Sequence, residues 1–161
     1  MKQTIFIDTS VLCNLLSVPG KNQQEEEMKG KFKNLQKTGA TFILPLTTVV
    51  ETGNHIAQVK QGDLRREAAQ RFEKWLRLAT GDKPPFVVHN FGWGKEFLGV
   101  FLDGADSGST YLDHATNRVG AGDLCILTEL RLYAYRLGSA ASASLWTLDS
   151  GLGAHAPTPI F

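Results

Sequence analysis

Two hydrophobic rhythms alternate along this chain. Short runs that are apolar almost throughout stand at Gln3 to Asp8, Thr41 to Leu44 and Leu145 to Leu148. Runs this short, rich in β-branched and aromatic residues, predict strands buried on both faces, as in a parallel sheet. Phe86 to Val88 and Thr158 to Phe161 read as two further short strands. Between these runs the apolar residues recur one helical turn apart. Val11, Leu12, Leu15 and Leu16 predict a helix from Ser10 to Leu16, broken by Pro19 and Gly20. Met28, Phe32 and Leu35 mark one face of a largely exposed helix over 21–38, which Gly39 ends. A helix beginning at Thr47 or Thr48 runs towards Val59. The next, over 63–79, carries a stripe of Leu64, Ala68, Phe72, Trp75, Leu76 and Ala79 against Arg66, Glu73 and Arg77. Asp123 to Leu137 predicts a last long helix.

Strands alternating with helices predict an α/β fold: a central parallel sheet flanked by helices, one domain over residues 1–161. The stretch 81–122 breaks the rhythm. Gly92 to Gly122 holds seven of the chain's 16 glycines, and Lys95 to Phe101 alone reads as a short helix there. Such an excursion is where functional loops concentrate. Its two Gly-x-Gly triplets, GWG and GAG, do not follow a strand in the manner of a dinucleotide site.

Composition narrows the picture only slightly. An apolar share of 42% over 161 residues suits a globular core, and a net charge of +1 gives no global basic field. The charge is nevertheless uneven. Residues 60–83 hold seven Lys or Arg against four acids, and residues 95–130 hold six acids against two bases. A solvated helix face explains the first excess; a nucleic-acid track through Lys60, Arg65 and Arg66 is the functional alternative. Cys13 and Cys125 fall in apolar helical patterns, without zinc spacing, and read as buried free thiols in a reducing compartment. No 18-residue apolar run and no signal-peptide layout is present, so the expected location is cytoplasmic, with no membrane partner.

Four acids stand out by their settings. Asp8 in TIFIDTSVL and Asp149 in SLWTLDSGL close strand-like runs, while Glu51 in LPLTTVVETGNHI and Asp123 in VGAGDLCILTEL open helical ones. Strand C-termini and helix N-termini meet on one edge of a parallel sheet, so the four would gather there. A carboxylate pocket calls for a hard cation such as Mg²⁺ or Mn²⁺. Each acid also has a structural reading. Asp8 can cap the following helix, Thr48 and Glu51 fit a capping box, Asp123 suits a helix dipole and Asp149 suits a turn.

In that order the four segments resemble the PIN domain family, metal-dependent nucleases that most often act on RNA. The resemblance covers nearly the whole chain and is strongest at IFIDTSVL and LWTLD. It implies a PIN-like fold, an endoribonuclease activity, and a Mg²⁺ or Mn²⁺ site held by Asp8, Glu51, Asp123 and Asp149. It also aligns Thr147 with a hydroxyl that bonds the first Asp, and Thr9 and Ser10 with the small hydroxyl residues after it. Asp103, Asp106 and Asp113 compete with Asp123, which alone opens a long amphipathic helix. Arg118 is a candidate for a substrate phosphate. His55 shares a helical face with Glu51, and His89 and His114 lie in the irregular stretch. Glu129 is expected on an exposed face.

Small stand-alone members of the family are often toxins of toxin–antitoxin pairs. An RNA substrate, a protein antitoxin and a homodimer are therefore the expected partners. The alternative is a catalytically inactive PIN-type module that scaffolds a larger complex. A phosphatase of the haloacid dehalogenase type would need a second Asp where the chain has Ser10.

Overall fold

The computed structural model describes residues 3–81, 83–87, 89–138 and 143–161. Its elements in chain order are β1 (Thr4–Ile7), α1 (Thr9–Leu15), α2 (Glu25–Lys37), β2 (Thr41–Ile43), α3 (Leu46–Ala57), α4 (Gly62–Thr80), β3 (Phe86–Val87), α5 (Lys95–Leu102), α6 (Tyr111–Thr116), α7 (Ala121–Leu137), β4 (Ala143–Trp146), α8 (Ser150–Gly153) and β5 (Pro159–Ile160). The strands form one sheet in the order β3-β2-β1-β4-β5, and every pairing is parallel. The fold is thus α/β, a parallel sheet flanked by helices.

Strand periodicity sorts the core onto the two sheet faces. Ile5 and Ile7 of β1, Phe42 of β2 and Trp146 of β4 point to one side, where α1 to α4 cover them. Phe6, Ile43 and Leu145 point to the other, against α5 and α7. β1 is central and all four of its residues are at least half-buried, which explains its unbroken apolar run. The outermost strands are two residues each, and β5 begins with Pro159, as suits an edge.

The sheet order sets the position of a site. From β1 the chain moves outward through β2 and β3, then returns to place β4 on the other side of β1. The carboxyl ends of β1 and β4 therefore flank the point where the winding direction reverses. In open α/β sheets the crevice at that point is where ligands bind.

Several boundaries differ from the sequence reading. The strand expected at Leu145 to Leu148 ends at Trp146, so Asp149 lies past it, at the N-cap of α8. Val88, read with Phe86 and Val87 as a strand, lies outside the described residues. The excursion 81–122 carries α6 as well as α5. Thr110 and Asp113 form a reciprocal capping box at the start of α6. Glu129, expected to be exposed, is buried at 2% exposure, because α7 packs on both flanks. Among the described residues no helix is long and apolar enough to cross a membrane.

Candidate metal centre

Asp8 follows directly on β1 and stands at the N-cap of α1, yet its side chain caps nothing. Instead Asp8 Oδ2 accepts two hydroxyl hydrogen bonds, from Ser10 Oγ and from Thr147 Oγ1, each 2.7 Å. The direction of both is fixed by what else the hydroxyls do. Ser10 Oγ accepts from the Leu148 amide at 3.0 Å, and Thr147 Oγ1 accepts from the Asp149 amide at 2.9 Å. Each hydroxyl therefore spends its one proton on Asp8. The same hydroxyls tie the end of β1 to the turn after β4. Asp8 Oδ1 accepts no hydrogen bond among the described residues.

The capping box proposed for Thr48 and Glu51 is absent. α3 starts earlier, with Pro45 at its N-cap, and Thr48 Oγ1 donates to Ile7 O at 2.9 Å. Pro45 is suited to such a start, since the fixed proline φ enters a helix readily. That leaves the Glu51 carboxylate uncommitted, one turn into α3. Room for it comes from Gly122 at the N-terminus of α7, where an added Cβ would stand 2.5 Å from Glu51 Oε1. Asp123 is the next residue and sits in the first turn of α7, where the helix dipole favours an anion. Asp149 does serve as a cap: its Oδ1 accepts from Gly151 N at 2.8 Å and Leu152 N at 3.1 Å.

All four acids line one cavity of about 320 Å³, together with Thr9, Ser10, Cys13, Lys21, Gln23 and His55. Their fields overlap. Burial pushes the Asp123 carboxyl up to about 6, and Asp8, Asp149 and Glu51 each add to the rise. Burial raises Glu51 as well, with Asp8 adding and the nearby Thr9 hydroxyl holding the rise back. Thr9 Oγ1 is buried, and among the described residues Glu51 is the group it eases. His55 is pushed down by burial and by Lys21. Burial raises the Cys13 thiol to about 11, so it is an inert thiol there.

The rivals of Asp123 are used elsewhere. Asp113 is spent on the α6 capping box, Asp106 accepts from Tyr135 Oη, and Asp103 is the C-cap of α5. None of the three lines the cavity. Arg118 is exposed, with a left-handed backbone at φ 65°, and also lies outside the cavity lining. His114 is buried against Ser107 Oγ at 2.7 Å, and His89 against Glu129 Oε1 at 3.3 Å. Lys21 and Gln23 entered the cavity without notice from the sequence. Their one signal is position, immediately after the Pro19-Gly20 break that turns the chain over the sheet edge.

The donor set is all oxygen, which suits a hard divalent cation. The rise at Asp123 and Glu51 is the strain that such an ion relieves. As they stand, no three His, Cys, Asp or Glu side chains among the described residues are close enough to hold an ion together. Four like charges facing one cavity repel, and an ion would have to draw them inward. No protein family, curated protein or solved structure matches this chain.

Proposed function

We propose that the chain is a divalent-cation-dependent phosphodiesterase that hydrolyses RNA, of the PIN domain kind. One observation carries the reading: Asp8, Glu51, Asp123 and Asp149, from four separate elements, line a single cavity at the carboxyl ends of β1 and β4. A structural cap needs no such gathering, and gathering like charges costs stability unless something positive binds. The all-oxygen donor set suits Mg²⁺ or Mn²⁺, and Asp8 Oδ1, Glu51, Asp123 and the free oxygen of Asp149 would be the holders once drawn inward. Bound there, the ion would lower the pKa of a water and neutralise phosphate charge.

The remaining chemistry belongs to the chain. Ser10 and Thr147 orient Asp8 from behind, leaving one oxygen for the cavity. Gly122 lets the Glu51 carboxylate lie against the N-terminus of α7. In hydrolysis a water oxygen bonds to phosphorus, the bond to one ester oxygen breaks, and that oxygen leaves as a hydroxyl after gaining a proton. The carboxylates are placed to orient the water and receive the proton it releases. A toxin role with a protein antitoxin and a homodimer follows from the family resemblance and remains part of this proposal.

That no three of these side chains among the described residues can hold an ion as they stand favours the alternative, an inactive PIN-type interaction module, over a preformed site. Calorimetric titration with Mn²⁺, followed by cleavage of a single-stranded RNA at saturating Mn²⁺, separates the two. Binding that is lost in Asp8→Asn, together with Mn²⁺-dependent cleavage, is the expected result. No heat at millimolar Mn²⁺ and no cleavage would leave the scaffold reading standing.

A further inference from the structure

We propose that Lys21 is the phosphate grip of this cavity, the residue whose ammonium takes a non-bridging oxygen of the RNA backbone beside the four acids. The inference rests on the nuclease reading above. Lys21 lines the same cavity as Asp8, Glu51, Asp123 and Asp149. Its charge is felt within the cavity: it adds to the fall at His55 and works against the burial-driven rise at Cys13. Yet among the described residues it forms no ion pair, although four carboxylates share its cavity. An ammonium in that position is held for a negative group that is not part of the chain.

The segment that carries Lys21 is fixed from several directions. Arg71 of α4 reaches across to donate to Leu16 O at 2.7 Å and Ser17 O at 3.1 Å. Lys29 donates to Ser17 Oγ at 2.5 Å, and the Gln24 amide donates to Asn14 Oδ1 at 2.8 Å. Val18 is fully buried, with its amide on Cys13 O at 2.9 Å, and the Lys21 amide is on Val18 O at 2.9 Å. Ser17 holds a left-handed backbone at φ 52°, a conformation that disfavours a non-glycine residue. Lys21 is exposed, as Lys37 is, but its strained, anchored turn sets it at the cavity of acids, which Lys37 does not line. Gln23 is oriented on the same turn by its bond to Gly20 O at 2.9 Å. The cavity thus carries both charges, four acids that would hold a cation and one lysine that would take a phosphate oxygen.

The proposal makes two opposite demands on one substitution. Lys21→Gln removes a positive charge from a cation site, so Mn²⁺ binding measured by calorimetry is unchanged or tighter. The same change removes a phosphate contact, so kcat/KM for single-stranded RNA at saturating Mn²⁺ falls roughly tenfold to a hundredfold, the range for a charged hydrogen bond. It also removes one neutralised phosphate. The slope of log Kd against log salt for RNA binding, measured in the Asp8→Asn background, therefore shrinks by about 0.7. Lys21→Arg retains most of the slope, and Lys37→Gln changes neither quantity. If wild type binds Mn²⁺ and cleaves RNA while Lys21→Gln keeps kcat/KM within twofold and the salt slope intact, Lys21 is not the grip. If Lys21→Gln lowers Mn²⁺ affinity, the lysine supports the fold of the site and the proposal also fails. If wild type binds neither Mn²⁺ nor RNA, the nuclease reading falls first and this inference falls with it.

Discussion

Glu51 and Glu129 both meet helix α3, and they meet it in opposite ways. Glu129 of α7 is almost fully buried, and both its oxygens are engaged: Oε2 accepts the Leu46 amide at 3.2 Å and Oε1 faces His89 Nδ1 at 3.3 Å. The Leu46 amide is one of the free donors of the first turn of α3, so Glu129 satisfies a helix end from outside. Glu51 is half-buried, has only the nearby Thr9 hydroxyl to ease it and faces three other acids. One carboxylate closes a gap in the fold. The other carries a cost that Thr9 offsets only in part. A buried acid with partners argues for structure; a crowded acid with little to ease it is what the proposed cation site requires.

The largest expected effect lies on the crowded side. Asp123→Asn should lower Mn²⁺-dependent RNA cleavage by roughly a hundredfold to a thousandfold, as for loss of an electrostatic contact at the reacting centre. Asp103→Asn, Asp106→Asn and Asp113→Asn should each stay within a few-fold of wild type, since none lines the cavity. A dead variant among those three, beside an active Asp123→Asn, would move the site away from the β1–β4 crevice.

On the partnered side the effect is on stability. Glu129→Ala strands the Leu46 amide and the His89 ring, whose Nε2 already lacks a partner. Unfolding in urea should show a loss of about 3 kcal/mol. Glu51→Gln, which removes a repelling charge, should leave the ion-free protein as stable as wild type or more so. Equal losses in both variants would erase the distinction between the two glutamates. A cation should enlarge the contrast. At a hundred times its Kd, Mn²⁺ should stabilise the wild-type protein by about 2.7 kcal/mol. Glu129→Gln should retain that gain, and Glu51→Gln should lose most of it. A gain retained in Glu51→Gln would take Glu51 out of the ion site.

How much of this was legible in the sequence follows from what each signal depends on. The strands and the long helices were readable because burial writes a local period, and β1 and α4 carry theirs plainly. The order of the four acids was readable because short contexts such as IFIDTS and LWTLD hold them. Glu129 was misread because α7 is packed on two sides, so no exposed face existed for it to occupy. The capping box at Thr48 failed because Thr48 Oγ1 bonds to Ile7 O, on a strand distant in sequence. Helix α6 was passed over because it is short and lies among glycines, although Thr110 and Asp113 did carry its cap. Lys21 was invisible for a related reason: the acids that share its cavity come from the end of β1, α3, α7 and the turn after β4, and no spacing along the chain relates them.

The smallest expected effect tests the crowding itself, through pH. In the folded, ion-free protein Asp123 titrates at about 6 against an ordinary 3.8. Between those values the folded state binds the proton more tightly than the unfolded chain, so stability falls as pH rises through the window. Below the lower value both states are protonated, and above the upper one the full cost is present. Solvent on the open side of the cavity screens that cost to on the order of 1 kcal/mol. Glu51, also raised, acts in the same direction. His55, which is depressed, acts in the opposite one, because its unfolded form takes up a proton first as pH falls. The informative quantity is therefore the difference between wild type and Asp123→Asn, not the raw slope. Urea midpoints at pH 5 and 7.5 in EDTA should show Asp123→Asn gaining on wild type at the higher pH. With saturating Mn²⁺ the wild-type trend should reverse, since the ion binds the deprotonated carboxylates and its hold strengthens as they ionise. Parallel midpoints for the two proteins at both pH values would mean that Asp123 feels no crowding, and Glu51 and Glu129 would then differ only in exposure.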